Sequence, residues 1–453
     1  ESVLAEVCGR IGEKGESVTA LGITNQRETA VAWDMASGRA LCACICWQDR
    51  RTAARCDELA AAGHLPEVRR RTGLVLDSYF SATKWDWMLR RGGVPASPRL
   101  ALGTVDDWLV YRLTGGPDGG VHATDVSNAS RTLCFDIGEL GWSDELCELF
   151  GVPRSALGEV RPSCGRFGLV HGGVAGGALR GVPIGGVAGD QQAALFGQGC
   201  HEPGSAKVTY GTGSFVLMNL GGEVPVPVEG LLSTVAWQIG PEVAYALEGA
   251  VFIAGAALQW LRDGLGILAE AAEAGPLAAS VASNDGCFFV PALTGLGSPW
   301  WDPQARGAVL GITRGTGRAA LARASVEAMA YQVRDVLAAM TKAASLAPTR
   351  LRADGGAAVM DLLLQLQADQ CRLPVVRAGT TEATALGAAF LAGLAEGFWS
   401  SKSELAALCA GETVFEPKAS LAPADADHAG WLRALERARR FEPTVAGPAG
   451  DYY

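Results

Sequence analysis

A carboxylate and two amides stand together in the stretch GVAGDQQAALFGQG, which covers residues 186–199. The preceding VPIGGVAG is typical of a buried strand that ends in glycines, and QAALFGQG is typical of a short helix. Polar side chains at the carboxyl end of such a strand lie at the crevice where open α/β sheets bind ligands. Asp190 therefore has two interpretations, as a helix cap, which aspartate commonly provides, or as a catalytic carboxylate.

A second candidate site is the short turn at Gly211, Thr212 and Gly213. The flanking segments KVTY and SFVLMNL are strand-like, so the turn is predicted to be the tip of a hairpin. Glycines let backbone N–H groups converge on an anion, and the threonine hydroxyl adds a donor. The sequence is compatible with a phosphate-binding loop and equally with an ordinary tight turn.

Two further glycine motifs are compatible with a bound nucleotide. In LRADGGAAVMDLLLQLQADQ, an apolar segment leads into Asp354, Gly355 and Gly356 and then into an amphipathic helix. A ligand phosphate or ring can approach the main chain at such a strand-to-helix turn. In EGAVFIAGAALQWLRDGL, Gly255 and Gln259 are four residues apart and share one face of a predicted helix. Both patterns also serve helix packing.

The elements that carry these motifs belong to a large chain. Its 453 residues exceed what one hydrophobic core usually supports, so two or three domains are expected. Glycine and proline in GQGCHEPGS precede a fresh hairpin and indicate a boundary. We therefore predict a first domain over residues 1–198, a second over 199–445, and a tail over 446–453.

Composition disfavours several function classes. The chain has 38 Lys and Arg against 48 Asp and Glu, and no basic block, which argues against nucleic-acid binding. No apolar run is as long as a bilayer span. Cys42, Cys44 and Cys46 alternate with apolar residues, which predicts one face of a buried strand rather than a metal site. We interpret the cysteines as free, buried thiols of a cytoplasmic protein.

Considered together, motifs along essentially the whole chain resemble the glycerol kinases of the FGGY carbohydrate kinase family. They are GITNQRETAVAWD, CWQDRRT, TGLVLDSYFSATKWDW, GTVDDWLVYRLTGG, TDVSNASRT, VAGDQQAALFGQG, TYGTGSF, ALEGAVFIAGAALQWLRD, PALTGLGSPWWDPQARGAVLGITRG and TEATALGAAFLAGLAEGFW. ITNQRET, and GDQQAALFGQ followed by TYGTGSF, point to the glycerol-specific branch. The resemblance implies an α/β fold of two actin-like, ribonuclease H-like domains of the sugar kinase and Hsp70 class around a cleft.

The resemblance also implies ATP-dependent phosphorylation of glycerol to sn-glycerol 3-phosphate. Asp190 then becomes the base that activates the substrate hydroxyl, and Gln191 a substrate ligand. The chemistry agrees, because phosphoryl transfer to an alcohol needs an acceptor for the hydroxyl proton. A site for a small triol needs polar groups on its oxygens and a wall along its carbons. The resemblance assigns these two tasks to Arg27 with Glu28, and to Trp47, Tyr79 and Phe215.

For ATP, the resemblance implies contacts from Thr212, Gly255, Gln259 and Gly356. One position departs from the family pattern. Where the family usually has an asparagine near the adenine, this chain has Met360. A methionine side chain can pack against a purine but cannot donate and accept hydrogen bonds as an amide does. Altered nucleotide affinity or selectivity is therefore expected.

The opening segment ESVLAEVCGRIGEK has helical spacing. Members of the family begin with a hairpin around an Asp-x-Gly-Thr-Thr turn, which supplies phosphate contacts and a carboxylate for Mg²⁺. No such turn precedes the helix in this sequence, so we expect an incomplete first domain, no assignable metal ligand and impaired phosphoryl transfer. The resemblance further implies a homo-oligomer, either dimer or tetramer.

Two alternative functions stay open. A kinase for another polyol or sugar would share the fold and the TEATALGAAFLAG segment, although ITNQRET argues against it. The other alternative is a catalytically impaired member of the family that binds ligand only. In addition, GGVAGGALRG resembles the loop where a sugar bisphosphate regulates some bacterial members of the family, with Arg180 loosely in register.

Overall fold

The computed structural model describes residues 2–13, 17–380, 382–409, 413–418, 420–439 and 441. The predicted tail over 446–453 lies outside these residues. Helices and strands alternate along most of the described chain, which makes the protein a mixed α/β structure.

Fifteen α-helices lie in the described residues. They are α1 Ser2–Glu13, α2 Ala53–Ala61, α3 Leu65–Thr72, α4 Ser81–Arg90, α5 Val105–Leu113, α6 Val126–Ala129, α7 Asp144–Leu149, α8 Asp190–Gly197, α9 Gly255–Asp263, α10 Ala274–Ala279, α11 Arg318–Ala344, α12 Asp361–Cys371, α13 Ala383–Ala395, α14 Lys402–Leu408 and α15 Leu421–Ala438. None of these described helices is both long enough and apolar enough to cross a membrane.

Nineteen strands lie in the same part of the chain. They are β1 Leu21–Asn25, β2 Val31–Asp34, β3 Arg39–Ala40, β4 Leu100–Gly103, β5 Ala123–Asp125, β6 Phe135–Asp136, β7 Gly141–Trp142, β8 Glu159–Arg161, β9 Cys164–Leu169, β10 Pro183–Gly189, β11 Ala206–Tyr210, β12 Ser214–Gly221, β13 Leu232–Ile239, β14 Glu242–Val251, β15 Phe288–Val290, β16 Ala308–Leu310, β17 Leu351–Asp354, β18 Val375–Arg377 and β19 Thr413–Phe415.

Ten of these strands form one long sheet in the order β1-β10-β9-β13-β14-β12-β11-β17-β18-β19. The link between β9 and β13 is a single residue pair, Cys164 with Ile239. The sheet therefore has two sections, one built from β1, β10 and β9 and the other from the seven remaining strands. Each section has a buried apolar cluster of its own beneath its helices, and a third cluster joins Ala188 of β10 to Leu217 of β12.

Two parallel strand pairs determine where the glycine motifs meet. In the first section, β1 runs parallel to β10, with Asn25 opposite Gly189. In the second section, β11 runs parallel to β17, with Thr209 opposite Asp354. Because parallel strands end at the same edge of a sheet, the loops that follow them lie side by side. The segments that follow these four strands, including helix α8 after β10, carry seven of the twelve residues nominated for the site: Arg27, Glu28, Asp190, Gln191, Thr212, Gly356 and Met360.

Helix α13 fixes the helix that begins with Asp190. It packs against α8 and against β1, β9 and β10, although it belongs to the range predicted for the second domain. Gly387 of α13 lies so close to α8 that an added β-carbon would overlap the carbonyl oxygen of Ala193. Only glycine fits this backbone-to-backbone contact. The glycine at position 387 of ALGAAFLAG is thereby explained.

Several local predictions are confirmed. The segment before Asp190 is a strand and the segment after it is a helix, as predicted. Residues 206–210 and 214–221 form an antiparallel hairpin with its tip at 211–213, and the chain's first described element is a helix.

The prediction for Cys42, Cys44 and Cys46 is wrong. They do not lie in a regular strand, because this segment makes only one isolated bridge, between Ala30 and Ile45. Cys44 is exposed, and Cys42 and Cys46 are only half-buried. Ile45 occupies the buried position instead, since its larger apolar surface gains more from burial. Burial does not alternate along the segment, because Ala43 is exposed like Cys44 and only Ile45 is buried.

Candidate active site

Asp190 is the first residue of α8, directly after β10 ends. Its Oδ1 accepts a hydrogen bond from the backbone N–H of Gln191 at 2.8 Å and lies 3.1 Å from Arg27 Nε. The side chain is 34% exposed. Gly189, not Asp190, occupies the N-cap position, and no side-chain cap is formed there. The local geometry therefore does not support helix capping as the role of this carboxylate.

Arg27 follows β1, and most N–H donors of its guanidinium have an acceptor. Its Nη1 donates to Glu248 Oε2 at 2.5 Å and to Gln192 Oε1 at 3.1 Å, and its Nη2 donates to Glu248 Oε1 at 3.2 Å. Arg27 is 2% exposed and Glu248 is fully buried on β14. Burial lowers the pKa of Arg27, but Glu248 and Glu28 outweigh this effect and raise it well above its usual value. The guanidinium is thus permanently charged and rigidly placed.

Glu28 and Arg131 complete a buried network of four charges. Arg131 Nε donates to Glu28 Oε1 at 2.7 Å, and Arg131 Nη2 donates to Glu248 Oε1 at 2.8 Å. Burial raises the pKa of Glu28, and the two arginines offset only part of this rise. For Glu248, burial is outweighed by Arg131 and Arg27, which lower the pKa to about 2. Glu28 also has a φ of 60°. This backbone angle is strained for a residue that carries a side chain, and such strain is common at functional sites.

The three aromatic residues nominated as a wall lie around this network. Trp47 and Tyr79 meet edge to face with ring centroids 5.4 Å apart. The Arg131 guanidinium lies 5.9 Å from the Tyr79 ring centroid, and the Arg27 guanidinium lies 6.0 Å from that of Phe215. All three rings are half-buried. The structure therefore brings them to the same charged centre.

A buried lysine holds the segment that carries Tyr79. Lys84 Nζ donates to the backbone carbonyls of Ser78 at 2.6 Å, Tyr79 at 2.5 Å and Phe80 at 3.0 Å. Lys84 is fully buried, and burial lowers its pKa to about 8. Three carbonyls satisfy the three protons of an ammonium. The position of the Tyr79 ring therefore depends on this contact.

Gln191 is tied to the second section of the sheet. Its Oε1 accepts a hydrogen bond of 2.5 Å from Nζ of Lys207, which also donates to Thr209 Oγ1 at 2.8 Å. Thr209 in turn donates to Asp354 Oδ1 at 2.5 Å. Burial lowers the pKa of Lys207 to about 8. This chain of contacts links the Asp190 side of the site to the two glycine loops.

The hairpin tip at Thr212 is exposed and packs against the start of α9. The backbone carbonyl of Thr212 accepts hydrogen bonds from Ala254 N at 2.9 Å and Ala256 N at 3.0 Å. A β-carbon at Gly255 would lie 2.6 Å from the carbonyl oxygen of Gly211. Gly255 is thus required for close packing of helix on loop, and Gln259, one turn further, is exposed.

Gly356 and Met360 differ in their surroundings. No protein atom of the described chain lies within 4 Å of the β-carbon that Gly356 lacks, so the space there is open. Met360 is half-buried, and its Cγ lies 3.0 Å from the β-carbon position of Gly275. The structure places Gly356 on the loop after β17, beside the Thr212 hairpin. No contact joins Gln259 or Met360 to the Arg27 network among the described residues.

Comparison with known proteins defines the class of this protein. Residues 1–197 match the N-terminal domain of the FGGY family of carbohydrate kinases, and residues 206–396 match the C-terminal domain. The chain belongs to the FGGY family of carbohydrate kinases. Its fold is therefore the predicted pair of actin-like domains around a cleft, and a kinase that uses ATP is implied.

The relatives with high identity are glycerol kinases. The glycerol kinase of Symbiobacterium thermophilum is 51% identical over 96% of this chain and 87% of its own length. That of Carboxydothermus hydrogenoformans is 50% identical over 97% of this chain and 88% of its own length. Among solved structures, Plasmodium falciparum glycerol kinase with ADP superposes with a TM-score of 0.88 at 32% identity, covering 96% of this chain and 88% of its own.

Sequence reasoning missed four charged residues of this site, namely Lys84, Arg131, Lys207 and Glu248. Glu248 and Lys207 stand in otherwise apolar or small-residue contexts, ALEGAVF and SAKVTY. A charged residue inside such a segment is a signal in itself, because an isolated buried charge is not stable without a partner.

Proposed function

We propose that the protein transfers the γ-phosphoryl group of ATP to glycerol and forms sn-glycerol 3-phosphate. The observation that carries the proposal is the contact of Arg27 Nε with Asp190 at 3.1 Å, formed where β1 and β10 end side by side. It is supported by glycerol kinases that are about half identical to this chain over most of their length.

In this proposal Asp190 is the general base. Its Oδ1 is occupied by Arg27 and by Gln191 N, and among the described residues its Oδ2 accepts no hydrogen bond. Oδ2 can therefore take the proton of the attacking hydroxyl as the oxygen bonds to the γ-phosphorus and ADP leaves. Arg27 and Glu28 contact the glycerol hydroxyls, and Trp47, Tyr79 and Phe215 line its carbon chain.

ATP is proposed to lie across the exposed loops at Thr212 and Gly356, with Gly255 and Gln259 beside them. Mg²⁺ neutralises charge on the triphosphate when it is bound. No group of three metal-ligating side chains is present in the described residues. Magnesium that arrives on a nucleotide needs only one or two protein carboxylates, so a group of three ligands is not required for its use. Self-association and a cytoplasmic location stay predictions.

Substrate identity is tested by calorimetry with glycerol and with D-xylulose, a pentulose. We expect glycerol to bind with a measurable heat, because Arg27 and Glu28 suit adjacent hydroxyls on a short carbon chain. We expect no heat from xylulose at the same concentrations. If the folded protein bound xylulose but not glycerol, the assignment of glycerol as substrate would be overturned in favour of a sugar kinase of the family.

The nucleotide side is tested by Met360→Asn. An asparagine amide can donate and accept hydrogen bonds with a purine edge, which a thioether cannot. We expect ATP affinity to rise by about 2- to 10-fold, the value of one neutral hydrogen bond. Val359→Asn is the matched control, since it adds the same amide at a neighbouring residue that is 66% exposed, and we expect it to leave affinity unchanged. Equal effects of the two variants would remove Met360 from the proposed nucleotide site.

A further inference from the structure

Lys207 is a buried cation placed between the substrate side and the nucleotide side of the site. The side chain is 0% exposed, and its hydrogen bonds go to Gln191 Oε1 and Thr209 Oγ1. Thr209 extends the contact to Asp354, whose carboxylate supplies the countercharge. Because a buried ammonium is costly to desolvate, these partners hold Nζ in one place.

The chemistry of an ammonium group fixes the orientation of the Gln191 amide. An ammonium has three N–H donors and no acceptor, so the atom of Gln191 that faces Lys207 must be Oε1. The Nε2 group is consequently turned away from the lysine. Among the described residues, Gln191 Nε2 donates to no protein acceptor, and the side chain stands next to Asp190. Both Nε2 protons are thus available to a ligand.

We propose that Lys207 is a positioning residue that holds Gln191 as a hydrogen-bond donor to one hydroxyl oxygen of the substrate. This inference rests on the proposed function, because the ligand is taken to be glycerol. Lys207 would then contribute to substrate specificity. A site that donates a fixed hydrogen bond discriminates against analogues that lack the acceptor oxygen. Lys207 acts only through Gln191 and does not touch the substrate.

The test compares glycerol with three diols that each lack one of its hydroxyls: (R)-propane-1,2-diol, (S)-propane-1,2-diol and propane-1,3-diol. Binding to wild type and to Lys207→Met is measured by calorimetry. We expect Lys207→Met to raise the Kd for glycerol by about 3- to 10-fold, the value of one hydrogen bond. The loss is expected to disappear for the one diol that lacks the hydroxyl bound by Gln191.

A double-mutant cycle separates an effect through Gln191 from general damage. If Lys207 acts through Gln191, then Lys207→Met adds at most about twofold to the loss already caused by Gln191→Leu, because coupled residues are not additive. Fully multiplicative losses would contradict the proposal.

Lys84→Met is the matched control, since Lys84 is an equally buried lysine that holds backbone carbonyls near Tyr79. We expect it to weaken glycerol and all three diols by the same factor. The same uniform pattern in Lys207→Met, or no change there, would overturn the inference. Should circular dichroism show that Lys207→Met does not fold, Lys207→Val carries the test under the same criteria, since valine suits a strand and has no donor. A folded wild type that binds no glycerol would instead overturn the proposed function.

Discussion

Asp190→Asn is expected to lower turnover by about two to four orders of magnitude, the usual share of general-base catalysis. The amide keeps the shape of the carboxylate but cannot take the hydroxyl proton. The melting temperature should hardly change, because the asparagine Oδ1 can still accept the hydrogen bond of Gln191 N and face Arg27 Nε. Turnover is measured with the protein expressed from the complete open reading frame, at saturating glycerol and ATP.

Asp144→Asn is the control for this variant. Asp144 is likewise the first residue of a helix, α7, and its side chain is 86% exposed and 3.9 Å from an arginine. We expect its turnover to equal that of the wild type. If Asp190→Asn also kept its turnover within tenfold, Asp190 would have only a structural role.

Replacement of Glu248 is expected to have the largest effect on stability. In Glu248→Leu, the buried guanidiniums of Arg27 and Arg131 lose their shared carboxylate. Breaking a buried ion pair on one side costs about 3–5 kcal/mol, because the remaining charge stays desolvated. Glycerol affinity should fall as well, since Arg27 is no longer fixed. Denaturant unfolding followed by fluorescence measures the loss of stability, and calorimetry measures the loss of glycerol affinity.

The matched control is Glu67→Gln, which removes a carboxylate that two arginines contact at the surface. Its side chain is 53% exposed, so we expect a change below about 1 kcal/mol. A Glu248→Leu variant that is as stable as Glu67→Gln would contradict the account of a tightly coupled buried network.

Local sequence patterns predict the elements around the site well. The strand and helix that flank Asp190, and the hairpin at Thr212, follow from apolar runs interrupted by glycines. These signals are short-range, and the observed strands and helix agree with them. Cys44 shows the limit of the approach, because an alternating sequence does not by itself place a segment in a buried strand, and both Ala43 and Cys44 are exposed.

The partners of the charged residues could not be predicted in this way. Glu248 contacts Arg27 across 221 positions of sequence, and Lys207 reaches Gln191 only because β11 and α8 pack together. Nothing local to either residue specifies that contact. The same holds for α13, which packs on the first section of the sheet although its sequence neighbours lie on the second. The boundary proposed between residues 198 and 199 stays a prediction.

The central claim, phosphorylation of glycerol, is tested most directly by identifying the product. The protein from the complete open reading frame is incubated with ATP, Mg²⁺ and isotopically labelled glycerol, and phosphorylated products and ADP are quantified together. We predict sn-glycerol 3-phosphate and ADP in equal amounts, with the yield lost in Asp190→Asn. Formation of ADP without glycerol 3-phosphate, or phosphorylation of a pentulose but not of glycerol, would contradict the claim.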